Sequence, residues 1–313
     1  MKVKTFVKIL SLILTLSMAF GFGACSASFD SAKNITVIAR EAGSGTRSAF
    51  DEAVTDGTHK LVEKDSSGNP LYRTTAKASF LGQTGLVLSA VQSDKQAIGY
   101  ISLGSVNDTV KTVKVDGVLP SRQAVLNGSY KIQRPFVIMT NNQVTLTALA
   151  QDFLNYLYSN EMQQHCDEEG TIFLTDPTMR ANSGKSPVAV SAFSKASALP
   201  EGQIVIRGSS SMDKLIHKIA AAYADIYDVE PTKIFDIQLE GSSYGRKAAQ
   251  NDTIGNVIGL SSAAENNEKL NCLNLCLDAV AVIVNKDNNV VDDLTLKQLY
   301  LIYSGEITKF NEI

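Results

Sequence analysis

Ile35-Thr36-Val37-Ile38-Ala39-Arg40-Glu41-Ala42-Gly43-Ser44-Gly45-Thr46-Arg47 is the stretch from which the rest of the chain is read. A β-branched run suited to a strand ends in an arginine and passes through a Gly/Ser turn. It then enters Ser48-Ala49-Phe50-Asp51-Glu52-Ala53-Val54, which suits a helix. This order gathers backbone N–H groups, hydroxyls and a guanidinium at one helix start. The first N–H groups of a helix lack intrahelical partners and its dipole favours negative charge there, so the arrangement suits a small oxyanion. Gly208-Ser209-Ser210-Ser211 follows the strand-like Ile204-Val205-Ile206, and Gly241-Ser242-Ser243-Tyr244-Gly245 follows residues 234–239, repeating the design. Any one of these turns is explained by N-capping alone. Three together predict convergence on one bound anion.

The chain has 313 residues, 44% of them hydrophobic and 19% charged, enough to bury a large core or two lobes and unlike a disordered composition. Net charge is −3, and the three lysines of the first 24 residues leave an acidic body. With no basic run or basic-aromatic patch, nucleic acid is not an expected partner. An acidic body does not exclude an anion ligand, because local N–H groups and one arginine outweigh a diffuse, screened charge.

Lys2, Lys4 and Lys8 lead into an apolar run over residues 9–22 that is short for a membrane span, ending at Phe22-Gly23-Ala24-Cys25. This reads as an export signal. A cysteine after a small pair resembles a bacterial lipoprotein box, which implies lipidation of Cys25 and anchoring on the extracytoplasmic face of the cell membrane; the alternative is an ordinary cleaved signal. Cys166, Cys272 and Cys276 are odd in number, and the leucines alternating around the last two suit buried thiols in a strand. His59, His165 and His217 show no zinc-ligand spacing to them, so neither metal nor cofactor is expected.

Further along, residues 86–91 suit a short helix, 97–103 and 136–139 strands, and 145–163 a single amphipathic helix with Leu146, Leu149, Phe153 and Leu157 on one face. Residues 175–203, rich in Pro, Gly and Ser, read as a linker or meandering loop. Residues 279–284 form an uninterrupted buried-type strand, and 294–303 a closing helix. Strands alternating with helices predict an α/β architecture with largely parallel pairing.

Ile38-Ala39-Arg40-Glu41-Ala42-Gly43-Ser44-Gly45-Thr46 resembles the R-x-D-G-S-G-T segment of phosphate-binding proteins of ABC importers, and Ala97-Ile98-Gly99-Tyr100 resembles their A-I-G-Y strand. Ile258-Gly259-Leu260-Ser261-Ser262, Ala281-Val282-Ile283-Val284-Asn285 and Ile302-Tyr303-Ser304-Gly305-Glu306-Ile307-Thr308 are similar to further landmarks, so the resemblance spans nearly the whole mature chain. The resemblance implies an α/β, two-lobe type II periplasmic-binding-protein-like fold with an interlobe ligand cleft. The landmarks stand in an unusual order, which implies circular permutation. The expected division is a lipoprotein signal at 1–24, a tether at 25–33 and lobe one at 34–103 and 286–313. Lobe two then spans 104–285, including the linker at 175–203.

Carried over by motif, Arg40, Ser44, Gly45 and Thr46 would bind the anion from one lobe, and Ser210, Ser211, Ser242 and Ser262 from the other. The implied function is capture of inorganic phosphate for an ABC importer, with a permease and a separate ATPase as partners. Ala42 replaces the acid that commonly steadies the arginine, and Ser262 stands where a carboxylate is common, which leaves sulfate and molybdate as alternative ligands. A surface sensing or adhesion protein is another alternative. Gly241-Ser242-Ser243-Tyr244-Gly245 matches a nucleophile-elbow pattern with Ser243 central, but no histidine follows His217, so the hydrolase order fails and no enzyme is expected.

Overall fold

The computed structural model describes residues 28–181 and 186–313; the export segment, Cys25 and Asn182-Ser183-Gly184 lie outside the described residues. β1 (Thr36–Arg40) turns directly into α1 (Gly45–Ala53), followed by β2 (Val62–Lys64), β3 (Pro70–Tyr72), β4 (Ser79–Leu81), α2 (Thr84–Ser93) and β5 (Ala97–Ser102). β6 (Val110–Val115) and α3 (Arg122–Leu126) precede the longer β7 (Gln133–Asn141). Next come α4 (Ala148–Leu157), α5 (Met162–Glu168), β8 (Ile172–Phe173) and α6 (Pro177–Arg180). β9 (Ile204–Gly208), α7 (Asp213–Ile226), α8 (Pro231–Ile234), β10 (Phe235–Gln238), α9 (Ser242–Gln250) and β11 (Val257–Ser261) follow. β12 (Leu270–Asn285), β13 (Asp293–Leu294) and α10 (Leu296–Ser304) complete the order.

The main sheet runs β10-β9-β11-β7-β12-β5-β1-β4. Its two ends are parallel, β1 between β4 and β5 and β9 between β10 and β11. Its middle is antiparallel, so the expectation of largely parallel pairing holds only for the ends. β12 is the reason. It pairs with β7 from Leu270 to Ala279, then continues against β5 and β6 from Val280 to Asn285. The second half is buried on both faces, which explains why it reads as an unbroken apolar run.

Two cores lie on either side of this crossing. Val37, Phe50, Tyr100, Tyr130, Val282 and Tyr303 belong to one, and Phe136, Phe153, Ile206, Ile216, Tyr223 and Leu273 to the other. The expected lobe boundaries do not coincide with this division. Val113, Val125 and Tyr130 pack in the first core, as do Val280 and Val282, so lobe one extends to about residue 132 and resumes at about 279. Periodicity could not reveal this, because the crossing strands are continuous in sequence pattern. At the crossing, Arg134 of β7 pairs with Asp278 of β12 at 3.0 Å, both side chains fully buried.

The helix expected over 145–163 is two. α4 ends at Leu157, where Ser159 Oγ donates to the Tyr156 carbonyl and Asn160 N–H leaves for Ser191 O, and α5 begins at Met162. Residues 186–199 lie as a strap on the second core: Val188, Val190, Phe193 and Leu199 pack there, with Phe193 edge-on to Tyr156. Cys166 and Cys276 are buried thiols. The described ends meet: Asn34 bridges Lys309, and Ile35 N–H donates to Thr308 O at 2.7 Å.

Candidate functional site

The opening stretch folds as its residues direct. Phe50 of α1 stacks on Tyr100 of β5 with ring centroids 3.9 Å apart, fixing the helix against the sheet. The Tyr100 hydroxyl accepts from Arg40 N–H at 3.1 Å, so the last residue of β1 is held in place. Ser44 is the N-cap of α1, its hydroxyl accepting from Arg47 N–H at 3.4 Å. Arg47 is drawn away from the turn: it pairs with Asp51 at 3.0 Å and lies over the Tyr72 and Phe80 rings.

Arg40 points into the space between the lobes and is 1% exposed. Its Nε donates to Leu81 O at 3.0 Å and Nη2 to Gly82 O at 2.6 Å. The remaining guanidinium donors reach the hydroxyls of Thr46, Thr84 and Ser210 at 3.3–3.4 Å. Among the described residues no carboxylate is hydrogen-bonded to it. Glu41 is exposed, so the acid expected to steady this arginine is replaced by two carbonyls at the end of β4. Burial lowers the Arg40 pKa to about 10, which leaves the side chain charged at neutral pH.

The second lobe meets this group with serines. Ser211 Oγ lies 2.8 Å from Thr46 Oγ1, and Ser210 Oγ accepts from Thr84 N–H at 3.2 Å. Ser242 Oγ accepts from Gly45 N–H at 3.2 Å and from Ser262 N–H at 3.0 Å, while Ser209 Oγ donates to Ser262 Oγ at 2.8 Å. Thr46, Thr84, Ser209, Ser210, Ser211, Ser242 and Ser262 are all buried. Four elements begin here, α1 and α2 from lobe one, and α9 and the 3-10 turn Ser210–Met212 leading into α7 from lobe two. Gly45 is required by proximity, since a Cβ there would stand 2.6 Å from Ser242 Oγ and from the Ser262 carbonyl carbon. A groove of about 480 Å³, lined by Glu41, Ser44, Gln83, Glu240 and Tyr244 among others, opens beside the cluster.

Of the residues expected from sequence, Arg40, Gly45, Thr46, Ser210, Ser211, Ser242 and Ser262 come together in one hydrogen-bonded cluster. Ser44 sits beside it as a cap, and Cys25 lies outside the described residues. Thr84 and Ser209 were not singled out. Gly82-Gln83-Thr84-Gly85 is a fourth glycine-flanked helix start, the signal by which Thr84 could have been found. Chemically, the cluster offers one buried cation, hydroxyls that rotate to donate or accept, and helix starts of favourable polarity. Such a set balances its charge with a small anion that accepts many hydrogen bonds. A nucleophile elbow needs a histidine at Ser243, but the three histidines contact Asp56, Tyr156 and Asp213 instead.

The family model of the PBP superfamily domain matches residues 3–161 and 194–312. "Phosphate-binding protein PstS 2" of Streptococcus pneumoniae serotype 4 is 35% identical over 317 residues, covering 98% of this chain and 99% of that protein. Its namesake in Streptococcus agalactiae serotype V is 33% identical over 98% of both chains. "Phosphate-binding protein PstS" of Bacillus subtilis matches at 28% over 46% of this chain and 43% of its own. The crystal structure of a phosphate-binding protein of a phosphate ABC transporter from S. pneumoniae TIGR4 superposes with a TM-score of 0.60 at 33% identity, covering 90% of this chain and 99% of that one. The fold, the anion-ready cluster between the lobes and these near full-length matches lead to one conclusion: the chain belongs to the PBP superfamily, among the phosphate-binding proteins of ABC importers.

Proposed function

We propose that this protein captures inorganic phosphate outside the cytoplasmic membrane and delivers it to an ABC permease powered by a separate ATPase. The observation that carries this reading is Arg40, a buried guanidinium without a carboxylate partner, ringed by buried hydroxyls from both lobes. A buried charge is costly unless paired, and a bound oxyanion supplies the pair. Four to six charge-assisted hydrogen bonds, less desolvation and ordering, leave about 8 kcal/mol, which is a micromolar complex. Arg40, Gly45, Thr46, Ser210, Ser211, Ser242 and Ser262 are the proposed ligands, with Ser44 organising the turn.

A second reading is favoured by one feature of the cluster. Among the described residues no carboxylate is hydrogen-bonded to it, so none of them offers a charged acceptor for the proton of hydrogen phosphate or a charge that repels the unprotonated sulfate dianion. The site then accepts sulfate or molybdate alongside phosphate. Calorimetry with phosphate, sulfate and molybdate at pH 6 and pH 8 tests both readings. Saturable binding of phosphate supports the first, comparable binding of the others supports the second, and no binding of any overturns both.

Lipidation of Cys25 would hold the protein at the membrane, since two or more chains at about 0.8 kcal/mol per buried CH₂ make a stable anchor. Among the described residues no helix is long and apolar enough to cross a membrane. Circular permutation is supported by the paired ends, where Ile35 N–H bonds Thr308 O and would once have been continuous chain. The strap over residues 186–203 would then be the joint between the ancestral ends.

A further inference from the structure

Gly43 and Ser243 are not among the proposed anion ligands, yet they join the two lobes directly. Ser243 N–H donates to the Gly43 carbonyl at 3.1 Å, a backbone bond from lobe two to lobe one at the rim of the cleft. Ser243 is the second residue of α9, a position whose N–H has no intrahelical acceptor. The N-cap of α9 is Gly241, which has no side chain to fill that role, and no side-chain cap bond is formed. Gly241 O is occupied by Tyr244 and Gly245 N–H. The Gly43 carbonyl therefore caps α9 from the opposite lobe.

Residue 43 is also shaped for this contact. Its φ is +88°, a conformation that L side chains rarely adopt. A Cβ there would stand 2.4 Å from Ser243 Oγ and 2.9 Å from Ser243 Cβ. The φ restriction belongs to residue 43 itself, whereas the clash with Ser243 arises only while the lobes are together. We propose that the Gly43–Ser243 contact is a latch: the carbonyl of one lobe completes the helix cap of the other, and the latch sets how fast a bound oxyanion leaves. Gly43 and Ser243 are thus positioning residues, acting on lobe closure without touching the ligand. The latch rests on the reading of the cleft as an oxyanion site.

Purified protein loaded with radiolabelled phosphate and diluted into excess unlabelled phosphate gives the release rate. Gly43→Ala is expected to release about 10-fold faster than the unmodified protein, the factor that corresponds to ~1.4 kcal/mol. Ser243→Gly, added to Gly43→Ala, removes both atoms that the new Cβ meets and is expected to restore slow release in large part. Circular dichroism spectra of the variants match the parent. A Gly43→Ala release rate equal to the parent's, or a double variant as fast as the single one, overturns the latch while leaving the anion site standing. A parent protein that binds no phosphate, sulfate or molybdate overturns the site and the latch with it.

Discussion

Arg40 spends its guanidinium on carbonyls and hydroxyls, and the ring of hydroxyls separates its role from the other buried arginines. Arg180, which also meets carbonyls, bonds Leu174 O and Tyr158 O within the second lobe. Arg47 has Asp51 and Arg134 has Asp278, whereas Arg40 has Leu81 O, Gly82 O and three hydroxyls. Arg40→Ala is expected to weaken phosphate binding at least about 100-fold, since two or more charge-assisted bonds at roughly 1.5–3 kcal/mol each are lost. Removing an uncompensated buried cation should leave the ligand-free melting temperature no lower. Calorimetry and thermal melts check both, and unchanged affinity would remove Arg40 from the site. Thr84→Val keeps the shape and deletes one hydroxyl; affinity should fall about 5–10-fold, the value of one neutral hydrogen bond of roughly 1 kcal/mol. Arg40, Gly45 and Thr46 were legible because they lie within one short motif. Thr84 was not, because its partner Ser210 is 126 residues away and Gln83, its N-cap, makes no side-chain cap bond. The acid missing at Ala42 was legible as well; its replacement by the carbonyls of β4 depends on tertiary packing.

At the scale of elements, β7 and β12 join the lobes, and the Arg134–Asp278 pair is buried where they run side by side. Burial raises the Asp278 pKa and lowers that of Arg134, each opposed by the charge of the other. Asp278→Asn leaves Arg134 buried without its counter-charge and should cost about 3–5 kcal/mol in denaturant unfolding; a loss under about 1 kcal/mol would contradict this account. Asp51 of α1 gives a pH dependence. Its carboxyl is raised to about 6, chiefly by burial, against an ordinary value of 3.8. Between about pH 4 and pH 6 the folded chain therefore keeps a proton that the unfolded chain has lost, so the contribution of Asp51 falls as pH rises through that window. Relative to Asp51→Asn, the parent should lose up to about 3 kcal/mol between pH 4 and pH 7, and a constant difference would contradict the assignment. β1, α1, β9 and α7 were legible from local pattern. The break after α4 was not, because it depends on Ser159 bonding back to Tyr156 O and on Asn160 meeting the strap at Ser191.

For the whole molecule, two cores close on a cluster assembled from residues 40–46, 84, 209–211, 242 and 262, so neither lobe alone holds the site. The α/β class was legible from strands alternating with helices, and the two-lobe fold from the family resemblance of the motifs. The division near residues 132 and 279 was not, since a strand that serves both lobes carries no boundary signal in its sequence. A ligand held by both lobes also links binding to stability: at phosphate 100-fold above its Kd, unfolding should cost about 2.7 kcal/mol more than without it. The central claim is that a tetrahedral oxyanion binds between the lobes at Arg40. Crystals grown with arsenate, whose arsenic is located by anomalous scattering, test it most directly. The account predicts one strong peak within contact of the Arg40 guanidinium and the hydroxyls of Thr46, Ser211 and Ser242; no peak between the lobes, or a peak only on the outer surface, would contradict it.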